Sequence, residues 1–563
     1  MKRLTIFIVL LVGVTAIWLW PASDSHRVFI NGEIFTVNDK NDVVEAISIR
    51  NGLIEAVGSN NEILALKQAD TIVTDLKGRS LLPGFIDAHS HFPVSGVHAV
   101  SVNLYPPPIG EVDTVDKLLE GIANAARQTN DKGWLVGFGY DDSLITPARH
   151  PNREELDGIS SEIPIFLWHQ SGHFAVVNSA GLDKLGITED TPNPTGGEYG
   201  RDPATGKLNG RLIEHAVPGL GTIFKDGSIF DYYTIFSSAI EEYLSHGITT
   251  AHSGATPLNL TRGLYWATKL RILPFRVVVL PRYSAFESGI PKRIRRNDKR
   301  VSSRFRLGPV KLFADGSPQG YTAYLSEPYH IQPPGETDYR GYPAESLESL
   351  ANKMKRINEE GHQIAIHVNG DASIDLAIDA FNQSNIDPNS DHRTILLHAQ
   401  MLREDQIPVI KKLGMTPSFF TTHTYYFGDL HSSKVMGPSR AAKISPAASA
   451  IKAGLRISLH SDAPVTPINQ LQIIWSAMER KTLSDRILGE DERIELHDAV
   501  RGITLDAAWQ IFEDTRRGSL QIGKVADLVI LSGSLQKYSD DIRNLSVDET
   551  IVGGKSVFLR TNQ

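Results

Sequence analysis

The sequence predicts an α/β chain with a closed (β/α)8 barrel of the TIM type at its centre and a smaller β domain built from both chain ends. Three observations predict it. Short apolar runs alternate with amphipathic stretches through the middle of the chain, the order expected of parallel strands joined by helices. There are roughly eight such runs, the number that closes a barrel. Several of them end in a residue able to bind a metal or carry a proton, where a barrel of this kind gathers its chemistry. An open doubly wound sheet is the alternative arrangement of the same alternation.

At the N-terminus, Met1-Lys2-Arg3 precedes an apolar run from Leu4 to Trp20, with Trp18 and Trp20 at its far end. A basic start followed by an apolar core reads as an export signal or a spanning anchor. The poor cleavage pattern at Pro21-Ala22-Ser23 favours an uncleaved anchor over residues 1–25. A buried core helix is the competing reading. Basic residues stay in the cytoplasm, so the membrane becomes a partner and the large domain is expected outside, in the periplasm or at the cell surface.

Residues 26–82 and 517–563 share a β character. Arg27–Val37 and Ala46–Gly58 each place apolar strands on either side of Asn-Gly, at Asn31-Gly32 and Asn51-Gly52, a strong hairpin signal. At the far end, Ala526–Leu531 reads as a strand and Thr550–Phe558 as two strands round Gly553-Gly554. Neither end has enough strands to stand alone, so one composite β domain is expected.

Between them, residues 83–516 carry the barrel. Its candidate strands are the run ending at His91, then Gly247–His252, Phe275–Leu280, Pro309–Phe313, Gln363–His367, Thr394–His398, Gly414–Ser418 and Arg456–His460. Helical periods from Ser346 to Glu360 and from Ala372 to Asn382 fall between strands. The segment from about 93 to 236 contains Pro106-Pro107-Pro108 and a strand-like Ile163–Trp168. It is too long for a βα loop and reads as a subdomain inserted over the barrel mouth.

Composition narrows the chemistry. A chain of 563 residues exceeds one small core, and 41% hydrophobic with 22% charged residues is ordinary for a folded protein. A net charge of -8 argues against a dedicated nucleic-acid binder. The basic cluster from Lys292 to Arg304 reads as a solvated loop, with contact to anionic lipid as the alternative. There is no cysteine, which excludes disulfides, thiolate nucleophiles and cysteine-bound metals.

The run Leu82–His91 ends in His89-Ser90-His91. On a strand, residues two apart share a face, so both imidazoles would point the same way and could bind one metal. Alone, the pair reads first as an ordinary couple of turn histidines. It is not alone: Lys311, His367, His398 and Asp462 fall at the ends of later candidate strands.

At these residues the chain resembles the amidohydrolase superfamily, in the amidohydrolase 3 branch of YtcJ-like and N-substituted formamide deformylase-like proteins. The resemblance covers nearly everything after the anchor. It is carried by Pro83–His91, Lys311–Ser317, His367–Ala372, His398-Ala399-Gln400, Ser461–Pro464 and Gly518–Leu528. It implies a distorted metallohydrolase barrel with a composite β-sandwich. It also implies that His89 and His91 bind the more buried metal with Asp462, and that His367 and His398 bind a second. Lys311 would bridge the two as a carbon dioxide adduct, N6-carboxylysine. A free ammonium has no lone pair for a metal, whereas the adduct supplies carboxylate oxygen. The competing role for Lys311 is a pair with an acid such as Asp315. The cofactor implied is a divalent metal, zinc by expectation, one or two ions per chain.

Asp462 would act as both ligand and catalytic acid–base group. His173, in a segment similar to the family's, and His423, after the seventh strand, are candidate substrate contacts, with hydrogen-bonded structural histidines as the alternative. Asp315 is a candidate for the same pocket or, with Asp87, a support behind the ligands. Asp371 reads as a helix N-cap. Relatives often carry a small residue and glycine after the fifth-strand histidine, where this chain has Val368-Asn369-Gly370.

The expected activity is metal-dependent hydrolysis of a carbonyl C–N bond in a small molecule, an amide, N-formyl or N-acyl compound, by a hydroxide made available on the metal. Cyclic amide, lactone or ester hydrolysis uses the same chemistry. A non-catalytic sensor on this scaffold is the reading from another class. Substrate, native metal and homo-oligomeric state are not encoded in any pattern found.

Overall fold

The computed structural model describes residues 26–561, apart from 129–132, 195, 226, 292–293, 295–302, 334 and 539–540. The anchor reading and most of the basic cluster lie outside the described residues. Among the described residues no helix is long and apolar enough to cross a membrane.

Eight parallel strands run in sequence order: β1 (Phe85–Ile86), β2 (Ile248–Thr256), β3 (Arg276–Pro281), β4 in two pieces (Phe305–Leu307 and Val310–Phe313), β5 (Ile364–Val368), β6 (Ile395–His398), β7 (Thr416–Phe419) and β8 (Ser458–Leu459). Two seams interrupt the regular ladders. In β4 the chain passes through Gly308-Pro309, and proline has no N–H for a ladder. The first piece of β4 pairs with β3 and the second with β5. Across the break, Gly308 N donates to Val279 O at 2.9 Å and Val310 N to Gln363 O at 2.8 Å. The second seam joins β8 to β1 by irregular backbone: Asp462 N donates to His89 O at 3.1 Å and His91 N to Ala463 O at 2.8 Å. The ring is therefore closed, and the open-sheet alternative falls away.

The helices pack as their periodicity demands. Leu347–Glu359 buries Leu350, Ala351, Met354 and Ile357 along one stripe, and Ser346 caps it by accepting from Ser349 N.

The apolar run before His89 is divided between two sheets. Ser80–Pro83 pairs with strands of the β-sandwich, and Phe85–Ile86 with β2. Gly84 is the hinge, because a Cβ there would sit 2.4 Å from the Thr249 side chain. The barrel ladder ends at Ile86, so His89 and His91 arise from irregular backbone after the strand. Strand alternation is not what aligns them, contrary to the expectation from the sequence.

One sandwich sheet orders Leu53–Gly58, Ala46–Arg50, His26–Ile30 and Ile72–Asp75. The other orders Lys555–Leu559, Val547–Val552, Leu528–Leu531, Ser80–Pro83, Glu33–Phe35 and Val43–Val44, mixing both chain ends. Phe29, Ile47, Leu81, Leu528 and Ile551 share the core between them. Asn51-Gly52 turns a hairpin, with φ of 54° and 77° and Arg50 opposite Leu53. Asn31-Gly32 does not. The strands beside it belong to different sheets, and Gly32 lies so close to Leu76 that a Cβ would be 2.4 Å from Cδ1. The chain only bends at Asn31, and packing of Gly32 against Leu76 goes with its change of sheet.

The segment between β1 and β2 forms its own six-stranded sheet, ordered Gly197–Arg201, Leu208–Glu214, Phe174–Val177, Ile165–His169, Leu135–Tyr140 and Val102–Asn103. It is tied to the loop after β8, where Tyr105 Oη donates to Pro464 O at 3.0 Å and Gln170 Nε2 to Val465 O at 2.7 Å.

Barrel and sandwich are clamped by a buried ion pair. The Asp527 carboxylate accepts from Arg276 Nε and Nη2, both at 2.9 Å, and from Gly553 N at 2.8 Å. Both side chains are at most 6% exposed. Removing the carboxylate would strand a guanidinium in a low-dielectric site, a loss of about 3–5 kcal/mol. Asp527→Ala should therefore lower the urea midpoint sharply, and a midpoint equal to wild type would show that the clamp contributes no stability.

Candidate metal centre

Ser90 sets the geometry of the histidines beside it. Its Oγ donates to His252 O at 3.1 Å and accepts from Tyr243 Oη at 2.8 Å, while its carbonyl accepts from Gly254 N. Turned toward β2 in this way, Ser90 leaves His89 and His91 side by side, with ring centroids 5.2 Å apart. From the β8 end comes Asp462, its backbone held in the left-handed region at φ 53°. Its Oδ1 lies 3.4 Å from His89 Nε2 and 3.2 Å from His91 Nε2.

The remaining candidate ligands arrive from β4, β5 and β6. Lys311 Nζ is 3.3 Å from His89 Nε2. The rings of His367 and His398 are 4.5 Å apart, and those of His89 and His398 5.4 Å. His398 Nδ1 is 3.8 Å from Asp462 Oδ2. All six residues thus converge on one point at the C-terminal end of the barrel.

Burial controls the charge of this cluster. It holds His89, His367 and His398 well below the usual histidine range, helped by the Lys311 ammonium nearby. Lys311 is pulled down to about 7 by burial, against the attraction of Asp462 and Asp315. Neutral imidazoles and a buried carboxylate are the donors a divalent ion takes. The fit is also geometric. Asp462 Oδ1 is a buried acceptor with no hydrogen-bond partner, and the ligand atoms of His89, His91 and Asp462 lie within 4.8 Å of one another. His91 Nδ1 faces Gly254 O at 3.2 Å and must donate to it, so Nε2 keeps its lone pair.

The other candidates fall around this cluster in different ways. His173 is half-buried, its ring 5.8 Å from that of His367. Its Nδ1 donates to Glu214 Oε2 at 2.7 Å, and Glu214 is itself held at φ 51° with its N donating to His173 O. His423 is buried and stacked on Phe420 at 3.9 Å, and its Nδ1 donates to Gln400 Oε1 at 2.6 Å. The Asp315 oxygens accept from the amides of Asn369, Gly370 and Tyr324. They fasten the loop after β5, and Asp315 Oδ1 lies 3.8 Å from His367 Nε2. Asp87 is fully buried, which pushes its carboxyl up to about 7. Asp371 is not the N-cap; Gly370 holds that position, and Asp371 in the first turn accepts from Ser326 and from Arg403.

Sequence reading missed Glu214 and His460. Glu214 lies 41 residues from His173 on another strand. His460 is buried at the β8 end with Nε2 3.1 Å from His398 Nδ1. It also missed a group in the inserted sheet, where Asp141, Asp142 and His169 come together. There His169 Nδ1 lies 2.9 Å from Ser171 Oγ and its Nε2 faces Asp142 Oδ1 at 3.2 Å. Burial disfavours a charged ring, but the two aspartates lift it to about 9. That polarity suits a His–Asp pair and not a metal ligand.

Residues 73–558 match a family model described as the amidohydrolase family. The chain is 28% identical over 545 residues to the N-substituted formamide deformylase of Arthrobacter pascens, covering 94% of this chain and 98% of that protein. It is 29% identical over 542 residues to Protein LONG AFTER FAR-RED 3 of Arabidopsis thaliana, covering 94% and 91%. Among solved structures, an uncharacterized metal-dependent hydrolase from Pyrococcus horikoshii OT3 superposes with a TM-score of 0.70 at 22% identity, covering 90% of this chain and 97% of that one. This last likeness is one of fold.

The histidine pair depends on the small residue packed under it. A Cβ on Gly254 would lie 2.6 Å from His89 Cε1 and 2.9 Å from Ser90 O. Gly254→Ala should force the imidazoles apart and weaken metal retention about tenfold or more, the scale on which a ligand's surroundings act. Metal analysis after graded chelator treatment reads this; retention equal to wild type would show that the spacing is not critical.

Proposed function

The chain belongs to the amidohydrolase family, and on that premise we propose that it hydrolyses a carbonyl C–N bond in a small amide-like molecule, an amide, N-formyl or N-acyl compound. The observation that carries this reading is Asp462 Oδ1, buried, without a hydrogen-bond partner, and flanked by His89 Nε2 and His91 Nε2. The likeness to a formamide deformylase along 94% of the chain supports the bond type.

A divalent ion bound here, zinc being a good match for nitrogen and carboxylate donors, supplies Lewis acidity that polarises a carbonyl and makes water acidic near neutral pH. His89, His91 and Asp462 would hold one ion, and His367 with His398 a second. Lys311 is buried beside His89, where its amine would add carbon dioxide and offer carboxylate oxygens to both ions. Asp462 would take the proton of the attacking water at Oδ2 and deliver it to the departing nitrogen. One C–O bond forms, the C–N bond breaks, and the products are a carboxylic acid and an amine. His173, oriented by Glu214 at Nδ1, would present Nε2 to the substrate. The inserted sheet, bonded to the loop after β8, would limit access of bulk water.

We also propose that residues 1–25 anchor the chain with this domain outside the cytoplasm; recovery of the active full chain in the cytosolic fraction would overturn that.

The zinc-loaded full chain should contain about two metals and release carboxylate and amine from an N-formyl or N-acyl panel, with activity lost on chelation. Asp462→Asn should lower kcat by about 10²–10⁴-fold with the fold intact. Turnover confined to lactones would shift the substrate class to esters, and a near-wild-type rate in Asp462→Asn would remove Asp462 as the proton carrier.

A further inference from the structure

A histidine ligand must present a nitrogen without hydrogen, so something must hold the ring's hydrogen on the other nitrogen. For His91 a backbone carbonyl does this: its Nδ1 faces Gly254 O at 3.2 Å, and a carbonyl only accepts, so the tautomer is set at once. His367 Nε2 lies between an acceptor, Gly316 O at 3.1 Å, and a donor, Asn369 Nδ2 at 3.0 Å. His398 differs. Its Nδ1 faces His460 Nε2 at 3.1 Å, and an imidazole nitrogen can donate or accept.

The ambiguity is resolved further away. His460 Nδ1 is 2.9 Å from Ser418 Oγ, Ser418 Oγ is 2.8 Å from Ser458 Oγ, and Ser458 Oγ is 2.5 Å from Gln510 Oε1. The four residues are at most 2% exposed, so water offers no alternative partner. Gln510, at the end of the helix Leu505–Gln510, has a fixed amide orientation. Its Nε2 donates to Pro417 O and to Thr416 Oγ1, both at 2.9 Å, and the Thr416 hydroxyl donates onward to Arg456 O at 2.7 Å. Turning the amide over would oppose acceptor oxygens at both contacts.

Ser458 Oγ is oriented to donate toward both Ser418 Oγ and Gln510 Oε1, but it has one hydrogen, and Gln510 Oε1, which can only accept, takes it at the shorter contact. Ser418 must then donate to Ser458, and its oxygen accepts from His460 Nδ1–H. His460 Nε2 is left bare and accepts from His398 Nδ1–H. His398 Nε2 is therefore the lone-pair nitrogen. We propose that Gln510, Ser458, Ser418 and His460 form a hydrogen-bond relay that holds His398 in the tautomer able to bind the second metal. These are positioning residues. The relay rests on the metal-centre reading of the preceding subsection.

The test is zinc retained per full-length chain during titration with a chelator. Ser458→Ala and Gln510→Met free the Ser418 hydrogen to turn toward His460, and each should release the second zinc at about tenfold lower chelator than wild type. His460→Leu should do so by about ten- to a hundredfold. His460→Gln should restore retention, because its amide oxygen accepts from His398 Nδ1–H while its NH2 donates to Ser418; a merely space-filling role would not separate Gln from Leu. The first zinc, on His89, His91 and Asp462, should stay in every variant. If Ser458→Ala and Gln510→Met keep both ions as wild type does, or if His460→Gln loses zinc as His460→Leu does, the relay is overturned while the metal centre stands. A wild-type chain that takes up no second zinc overturns both.

Discussion

The closing seam between β8 and β1 is the constraint on which the rest of the structure depends. No regular ladder joins these strands. Two backbone bonds do, from Asp462 N to His89 O and from His91 N to Ala463 O. The residues whose main chain closes the barrel are those whose side chains form the candidate metal site. Barrel closure and assembly of the site are thus one event, and a chain that left the seam open would scatter the ligands. The left-handed backbone of Asp462, with φ 53°, is held by this seam, a conformation that a residue with a side chain seldom adopts without such enforcement.

The same closure explains the electrostatics. Three buried imidazoles, a lysine and a carboxylate are packed together with little access to water, and the more exposed His91 stands at their edge. Burial holds His89, His367 and His398 well below the usual histidine range and draws Lys311 down to about 7. A cluster that is costly as it stands becomes favourable with a cation at its centre, which is the physical logic of a metal site. Around it the polar partners are backbone groups or fully buried side chains. Gly254 O orients the His91 ring, and a path of buried side chains runs from His398 through His460, Ser418 and Ser458 to Gln510.

Much of this was legible before any coordinates. The alternation of apolar runs places seven later barrel strands to within a few residues, since a parallel barrel strand is apolar on both faces and each is followed by a helix with one apolar stripe. Asn51-Gly52 predicts its hairpin because a tight turn of that hand needs positive φ at both positions. Asn31-Gly32 carries the same dipeptide, but only Asn31 takes positive φ and its strands go to different sheets, because the partner of a strand is chosen by long-range packing. The run before His89 misled for a related reason: apolarity does not tell which of two cores a residue enters, and the hinge at Gly84 is visible only beside Thr249.

By itself the sequence determined the strand and helix periods, the absence of thiol chemistry, and the residue types waiting at the strand ends, because these are local properties of composition and spacing. Tertiary structure alone decided which of those residues meet and in what protonation geometry. Glu214 reaches His173 across 41 residues, and His460 reaches His398 across 62. A hydrogen bond or a ligand set is defined by separations of about 3 Å, and no periodicity along the chain encodes a distance between elements that only the closed barrel brings together.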